Sequence, residues 1–578
     1  MANSRLTTPG GAPRQRPRAT ATAAAAAVLC LGFGLCTSAS AVGIDVGDDD
    51  IQLRFDNTVR YNLGLRTDSQ SAAIIASINN DDGDRNFKKH GVVTNRIDLL
   101  SEFDVVWRKQ FGARLSGAAW YDQAYSGALD NTSVATSNHL AGGVQALGLS
   151  NATKRYFKGA SGEFLDAFVF ASADLGGMAA TLRAGRHTIN WGEALLGGGA
   201  VHGVSYGQAP LDQAKALATP GIEAKELYRP LNQISGQVQL TPTLSLAGQY
   251  FLEWQSYRFP EAGSYLGFSD ALLAGGEAIL LSVGGATRLV TRTADVTPKD
   301  RGDWGLAMRW SPEWLDGTAG LYYRRFSDRV PQQATLRPTA APPIPAQYFV
   351  MYGSDIEMLG ASLSKQVAGI SVGMDLNYRR NMPLVSGGVN LVAGTNALPA
   401  PGETLGARGT TWHAVLNAIG SIAATPLFNS ATWNAEMTWS HWSKVTSDPF
   451  NVFKGSAAYT GNPANIDRVT KSATGVALGF TPTWYQVFPG ADLSLPVSAS
   501  IGVDGNSAVS LGGNKNAGSY AVGASLDVLG KYRFDLKYVD YYGEFTTNAT
   551  TGAVGVYNGS TAMLKDRGAV YFTFKTTF

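Results

Sequence analysis

The sequence predicts an all-β fold: one transmembrane antiparallel β-barrel of about eighteen strands, with a partly helical inserted loop near 189–231. Three observations favour this fold. The chain begins with an export signal, its later segments alternate apolar and polar residues with period two, and its last strand ends in phenylalanine. Together they predict localisation to a Gram-negative outer membrane.

Composition excludes several other classes of protein. Of the 578 residues, 16% are charged and 10% are aromatic, which does not fit a disordered chain. A net charge of +2 offers no basic surface, so we expect no nucleic acid partner. The two cysteines, Cys30 and Cys36, are too few for a disulfide scaffold or a thiolate metal cluster.

The first 41 residues have the parts of a signal peptide. Arginines precede an apolar run over 21–35, and Ala39 and Ala41 occupy the small-residue positions of a cleavage site. The run is shorter than the roughly 20 residues that a membrane-spanning helix needs. We therefore predict a signal peptide over 1–41 and an outer-membrane barrel over 42–578, which contains no cysteine.

Alternation is the main pattern of the remaining chain. In one segment Trp433, Met437 and Trp439 share one strand face, whereas Asn434 and Glu436 share the other. A water-soluble sandwich has the same period. However, many of these segments reach the ~9–11 residues that cross a bilayer at a tilt. Aromatic residues also end many of the apolar faces, as they do in membrane barrels.

The last segment has the same pattern, because Val570, Phe572, Phe574 and Phe578 lie on one face. A terminal phenylalanine on such a strand resembles the assembly signal of outer-membrane barrels. We therefore expect the barrel-assembly machinery as a partner, and outer-membrane lipid and lipopolysaccharide as the surroundings.

Eighteen strands account for the alternating segments and for the connections between them. They lie near 51–65, 95–108, 112–125, 163–174, 179–188, 232–240, 244–256, 303–311, 319–328, 355–365, 370–380, 410–423, 430–442, 471–482, 495–505, 517–528, 532–544 and 567–578. The connections alternate between short and long, as periplasmic turns and outer loops do. The pattern is weakest over 410–423 and 471–505, so sixteen strands is the alternative.

Five short segments carry a family resemblance. They are GRHTINWGE at 185–193, PGIEAKE at 220–226, YFLEW at 250–254, NYRRNMP at 377–383 and FPGAD at 488–492. In this order they resemble the bacterial domain of unknown function 1302 family of outer-membrane β-barrel proteins. The resemblance implies a role in moving apolar compounds or lipids across or into the outer membrane. It also implies a periplasmic lipoprotein-like partner and an inner-membrane exporter.

The segment 189–231 is the most informative connection. Leu211, Ala214 and Leu217 have helical spacing, and Pro220 is placed to open a second helix. A folded segment between two strands either bends into the lumen as a constriction or caps the outer rim. Its candidate lumen or gate residues are Trp191, Glu193, Glu223, Lys225 and Glu226. Salt bridges within the loop are an equal alternative role for them.

Charged residues on the polar strand faces complete the candidate site. Facing lipid, a charge costs ~2–4 kcal/mol near the midplane, so these residues should face the lumen. The candidates among them are Asp375, Arg379 and Glu436. Both signs of charge are present, which predicts no strong ion selectivity.

Other chemistry has little support in the sequence. GVSYG at 203–207 matches G-x-S-x-G around Ser205, but no hydrophobic strand leads into it. The histidines lack the spacing of zinc sites, and no nucleotide-binding loop is present. The acidic run at 79–84 lacks the ligand spacing of a calcium loop, so we expect it to be solvated. We expect no enzyme activity, no cofactor and no metal.

The sequence therefore predicts an outer-membrane transport protein. The leading function is a channel or conduit for hydrophobic or lipid-like small molecules that acts with periplasmic partners. A general or substrate-specific diffusion porin is the first alternative. An outer-membrane serine hydrolase that uses Ser205 and a structural or adhesive barrel are the others.

Overall fold

A computed structural model describes the chain from residue 42 to residue 578, apart from 45, 219–223, 284–285, 339–344 and 393–397. The signal peptide predicted over 1–41 lies outside the described residues. It stays a prediction, and so does the boundary with the barrel at 42.

The described chain folds into a closed antiparallel β-barrel with long connections between some of its strands. Its strands are β1 (Ile51–Arg66), β2 (Val92–Trp107), β3 (Phe111–Asp122), β4 (Gly159–Asp174), β5 (Ala179–His187), β6 (Leu231–Thr241), β7 (Leu244–Phe251), β8 (Trp304–Trp310), β9 (Gly317–Phe326), β10 (Ile356–Val367), β11 (Ile370–Pro383), β12 (Arg408–Ile422), β13 (Ser430–Ser447), β14 (Ser472–Phe488), β15 (Ala491–Ser494 and Val497–Asp504), β16 (Gly518–Val528), β17 (Tyr532–Tyr542) and β18 (Ala569–Thr577). Each strand pairs with its neighbours in chain order.

Closure occurs between the last strand and the first. Ala569 of β18 pairs with Arg66 of β1, and Thr577 pairs with Thr58. A short strand, Val42–Ile44, continues this edge of β1 beyond the end of β18. The prediction of eighteen strands is thus confirmed, and the weakly patterned segments form β12, β14 and β15.

The two faces of the wall are the reverse of those in a water-soluble sheet. On β11, Met374 and Leu376 point outward and are 41% and 42% exposed, whereas Asp375, Asn377 and Arg379 are at most 1% exposed. An apolar outer face and a polar inner face suit a barrel in lipid. None of the described helices has the length and apolar character that a membrane-crossing helix needs.

Short and long connections separate to opposite ends of the barrel. The turn between β10 and β11 consists of Ala368 and Gly369, with φ values of 50° and 82°. Two central residues with positive φ are typical of a type I′ turn, whose twist matches that of paired strands. The long connections lie at the other end, and several fold over it. Minor strands and short helices within them include Asp82–Arg85, Asn151–Phe157, Ala278–Val283 and Ala286–Arg292.

The expectation that the acidic run at 79–84 is solvated is wrong. Asp81 and Asp84 are 0% exposed, and Asp82 is 5% exposed. Asp82 accepts hydrogen bonds from the side chain of Asn131 and the main chain of Asn138 in the next long loop. Burial, with the nearby charge of Asp270 adding to it, raises the pKa of Asp81 to about 7. Neighbouring loops therefore supply the partners that make burial of these carboxyls tolerable.

An ion-pair network spans the seam of the barrel. Asp84 lies 2.6 Å from Arg66, at the end of β1, and 3.1 Å from Arg567, just before β18. All three side chains are fully buried. Removing one member leaves a buried charge without compensation, which costs about 3–5 kcal/mol.

We expect Asp84→Asn to lower the temperature at which the folded barrel loses its fast gel mobility. Asp50→Asn is the control, because Asp50 pairs with Arg108 on an exposed part of the surface. The two variants are compared by gel mobility after heating across a range of temperatures. Equal midpoints would show that the buried network does not stabilise the seam.

Candidate functional site

The connection between β5 and β6, residues 188–230, is here called the lumen segment. It contains three short helices: α1 (Gly197–His202), α2 (Gln213–Ala218) and α3 (Ala224–Leu227). The predicted partly helical loop is thus confirmed. Pro220 and Glu223 lie outside the described residues, so their predicted roles stay predictions.

The lumen segment crosses the inside of the barrel. Near one end, Glu226 lies 2.5 Å from Arg60 of β1, and Lys225 pairs with Glu102 of β2. Near its other end, the main-chain N–H of Glu193 donates to Asp375 of β11, at 2.9 Å. In a ring of eighteen strands, β1 and β11 lie nearly opposite each other. The wall residues are in the middle of their strands, so the segment lies within the lumen and not on its rim.

Two wall carboxylates hold the first part of the segment through its main-chain N–H groups. Asp375 accepts hydrogen bonds from Glu193 at 2.9 Å and from Val204 at 3.1 Å. Glu436 of β13 accepts three, from Leu195 at 2.7 Å, from Leu196 and from Gly199 at 2.9 Å. Hydrogen bonds to an ionised acceptor are roughly twice as strong as neutral ones.

Glycine at 199 is what allows this approach. A Cβ on Gly199 would lie 2.6 Å from a carboxylate oxygen of Glu436, which is closer than real Cβ contacts. The glycine run at 197–199 was therefore the feature of the sequence that pointed to a close approach at this place.

Wall arginines hold the same stretch through its carbonyl oxygens. Arg379 of β11 donates to Val201 O at 2.9 Å and to Gly203 O at 3.1 Å. Arg324 of β9 donates to Val204 O at 2.9 Å and to Tyr206 O at 2.6 Å. The wall thus provides acceptors for the N–H groups of the segment and donors for its carbonyls, and no strand pairing is involved.

An apolar patch adjoins this stretch of the segment. Its buried members on the segment are Trp191, Val201, Val204 and Tyr206, and those on the wall are Ala307, Tyr322, Phe326, Ile356, Met358 and Met382. A second apolar cluster brings Ala214 of the segment together with Leu100 of β2, Trp120 of β3 and Leu165 of β4. The patch is therefore one of the apolar clusters that the segment shares with the wall.

A histidine pair joins α1 to β12. The Nδ1 atoms of His202 and His413 lie 2.8 Å apart, and His202 Nε2 lies 2.8 Å from Gly512 O. A carbonyl only accepts, so Nε2 of His202 carries its proton and Nδ1 accepts from His413. His413 Nε2 then accepts from the hydroxyl of Thr411, at 2.9 Å. In this arrangement both rings are neutral, and a further proton on Nδ1 of His202 would break the contact between the two rings.

This pair predicts a pH dependence for attachment of the segment. Burial lowers the pKa of His202 to about 4, against about 6.5 for an exposed histidine. A released segment takes up a proton in this range that the attached segment does not bind, so attachment weakens as the pH falls. Glu193 acts in the opposite sense, because burial raises its pKa to about 7.

The comparison of wild type with His202→Gln therefore isolates the histidine. Relative to the variant, we expect release of the segment in wild type to become about 10-fold more favourable between about pH 7 and about pH 5, measured as planar-bilayer conductance. His90→Gln is the control, because His90 is exposed in a long loop. Identical pH profiles for wild type and His202→Gln would contradict this account.

The structure places the predicted site residues around one feature, the lumen segment. Trp191 is 6% exposed in the apolar patch, and its main-chain N–H donates to Gln208 Oε1 at 2.8 Å. Lys225 and Glu226 contact the wall rather than each other, and Glu193 binds the wall through its main chain. Sequence reasoning did not single out several other wall contacts, among them Arg324, Asn377, His413 and Asn417. Each of them is a polar residue in an alternating strand, and this pattern could have predicted that its side chain faces the lumen.

The contacts described above hold the segment through hydrogen bonds and ion pairs. In the part of the chain that the structure describes, no group of three or more His, Cys, Asp or Glu side chains could hold a metal ion.

Comparisons with known proteins give one family and a set of solved structures. OccAB1 of Acinetobacter baumannii is similar with 8% identity and a TM-score of 0.41, over 93% of this chain and 98% of that chain. OpdK of Pseudomonas aeruginosa, in a crystal structure with vanillate, has 9% identity and a TM-score of 0.40, over 91% and 98%. A BenF-like porin from Pseudomonas fluorescens Pf-5 has 7% identity and a TM-score of 0.40, over 92% and 99%.

Among curated proteins, none matches the sequence of this chain. The family model described as "Protein of unknown function (DUF1302)" matches residues 21–578 and confirms the resemblance drawn from the five short segments. The chain therefore belongs to the DUF1302 family.

Proposed function

We propose that the protein is a gated conduit of the Gram-negative outer membrane and that the lumen segment is its gate. The outward apolar faces, the closed barrel and the predicted signal peptide support this location. One observation carries the gating. The segment crosses the lumen, and its part over 193–207 is held by side-chain hydrogen bonds to its main chain, without strand pairing to the wall. Water can replace such side-chain hydrogen bonds more readily than it replaces the main-chain hydrogen bonds between paired strands.

The proposed cargo is a hydrophobic or lipid-like small molecule. The apolar patch on the wall supports this, because it would face the passage once the segment moved. A periplasmic lipoprotein-like partner and an inner-membrane exporter are part of the proposal, on the strength of the family resemblance alone.

We propose no enzymatic activity. The histidines nearest in sequence to Ser205 have other partners: His202 contacts His413 and Gly512, and His187 contacts Gly185 O and Ser235. These contacts support the interpretation that the G-x-S-x-G match around Ser205 arose by chance.

A diffusion porin is the second candidate, and one feature of the wall favours it. Inward positions of β14 and β15 carry small side chains, among them Gly479, Ser498 and Ser500. Ser498 and Ser500 are exposed although they face the lumen. Water therefore reaches this side of the wall beside the segment.

Membrane fractionation and planar-bilayer conductance of the purified full-length protein test the proposal. We expect the protein in the outer-membrane fraction, with a closed baseline interrupted by brief openings. Large and steady conductance would replace the gated conduit with the diffusion porin. Recovery as a water-soluble periplasmic protein would overturn both.

A further inference from the structure

Three arginines of the wall converge on one stretch of the lumen segment. Arg324 and Arg379 come from β9 and β11, and Arg329 follows β9; all three are 0% exposed. Arg329 donates to Gly207 O at 2.7 Å, next to the carbonyls that Arg324 and Arg379 bind. Residues 201–207 therefore present a row of carbonyl oxygens to three guanidinium groups.

These contacts leave much of the donor capacity unused. Nε and Nη2 of Arg324 and Nη1 of Arg379 make no hydrogen bond to any described residue. The flat faces are covered, because Arg324 lies 4.5 Å from the ring of Phe326 and Arg379 lies 4.3 Å from the ring of Tyr206. The unused N–H groups thus lie in the plane that a carboxylate or phosphate would need for bidentate binding.

The charge around the cluster is also incomplete. Asp303 lies 3.8 Å from Arg329, and Asp328 accepts from the hydroxyl of Tyr206 at 2.6 Å. Of the three arginines, Arg329 has an ion-pair partner among the described residues, and Arg324 and Arg379 have none. Neutral carbonyl oxygens complete the coordination of these arginines, and an anionic oxygen makes stronger hydrogen bonds with the same donors.

Apolar wall surface lies directly beside the arginines. Tyr322, Ile356, Met358 and Met382 are each at most 2% exposed beneath the lumen segment. Guanidinium groups beside this apolar strip complement an amphiphile, whose anionic head would contact the guanidiniums and whose hydrocarbon body would contact the strip.

We propose that the cluster of Arg324, Arg329 and Arg379 is a binding site for anionic amphiphiles with a carboxylate or phosphate head. The head takes the place of the carbonyl oxygens of 201–207, and the hydrocarbon body lies on the apolar strip. Binding and release of the segment are then one event, because ligand and segment compete for the same N–H groups. This inference rests on the proposed function, in which the segment is displaceable.

Calorimetric titration of the full-length protein in a neutral detergent tests the site. The probes are octanoate and octyl phosphate, with octanol as the uncharged control and acetate as the head without a body. We expect both anionic probes to bind at least about 10-fold more tightly than octanol and acetate. Octanoate and octyl phosphate also distinguish the two head groups. Equal affinity for octanol and octanoate would overturn the proposal.

Two variants separate ligand binding from support of the segment. Arg379→Gln should weaken octanoate binding about 10-fold, whereas a purely supporting role predicts unchanged or tighter binding because the segment is loosened. Glu436→Gln loosens the segment and leaves the arginines intact, so it should strengthen binding. Arg325→Gln is the control, since Arg325 is exposed and pairs with Asp355. Unchanged affinity in Arg379→Gln would overturn the site.

The outcome also distinguishes this site from the gate. Selective binding of anionic probes to a protein that never conducts would retain the site and reject the conduit. Openings without any selective binding would retain the conduit and reject the site.

Discussion

Replacement of both wall carboxylates, Asp375→Ala with Glu436→Ala, is expected to convert a closed protein into one that is open for much of the time. The pair accepts five hydrogen bonds from main-chain N–H groups of the lumen segment. Loss of a hydrogen bond to a charged group costs about 1.5–3 kcal/mol. If each carboxylate contributes only the lower value, release becomes about 10-fold more favourable per site and about 100-fold in the double variant.

The measurement is single-channel conductance of the full-length variant in a planar bilayer, after gel mobility has shown that it is folded. Asp104→Ala with Asp535→Ala is the matched control. Both residues are lumen-facing carboxylates that pair with wall arginines, Arg114 and Arg533, and not with the segment. A control that opens equally would attribute the effect to lumen charge. A folded but silent double variant would show that these carboxylates do not hold the gate.

A disulfide between the lumen segment and the wall is expected to have the opposite effect. A Cβ added at Gly198 would lie 3.2 Å from Cγ2 of Thr438 on β13, so cysteines at the two positions are within bonding reach. The mature chain contains no other cysteine, because Cys30 and Cys36 lie in the predicted signal peptide. Gly198→Cys with Thr438→Cys should therefore form a single defined cross-link.

We expect the oxidised form to lose the openings of the wild type, and a reducing agent to restore them. Each single-cysteine variant is the control for the effect of the substitution itself. Combined with Asp375→Ala and Glu436→Ala, the cross-link should suppress most of their conductance. Undiminished openings in a fully cross-linked sample would place the permeation path elsewhere, along the small side chains of β14 and β15.

The fold could be predicted in detail because each strand has to satisfy two solvents. Residues that face hydrocarbon are apolar and those that face the lumen can be polar. The sequences of β11 and β13 therefore alternate with period two. Where inward positions are small, as at Gly475 and Gly479 in β14, the polar half of the pattern fades. Pairing with β13 and β15 nevertheless makes that segment a strand.

The prediction that the acidic run at 79–84 is solvated was wrong because burial there depends on contacts between loops. Local composition at 79–84 is acidic, and an isolated loop of that kind stays in water. Burial of Asp82 depends on Asn131 and Asn138, which come from another loop some fifty residues later in the chain. A contact between two distant loops cannot be predicted from the local sequence of either loop.

By itself, the sequence determined the barrel, its strand number, the inward placement of its charges and the helical character of the lumen segment. These properties follow from short-range periodicity and from the cost of placing charge in lipid. Only the tertiary structure decided what the inward charges contact. Glu436 meets the segment 237 to 241 residues away in the chain, and Arg379 meets it 176 to 178 residues away. Such contacts are set by the closure of the barrel around the segment, which no window along the chain contains.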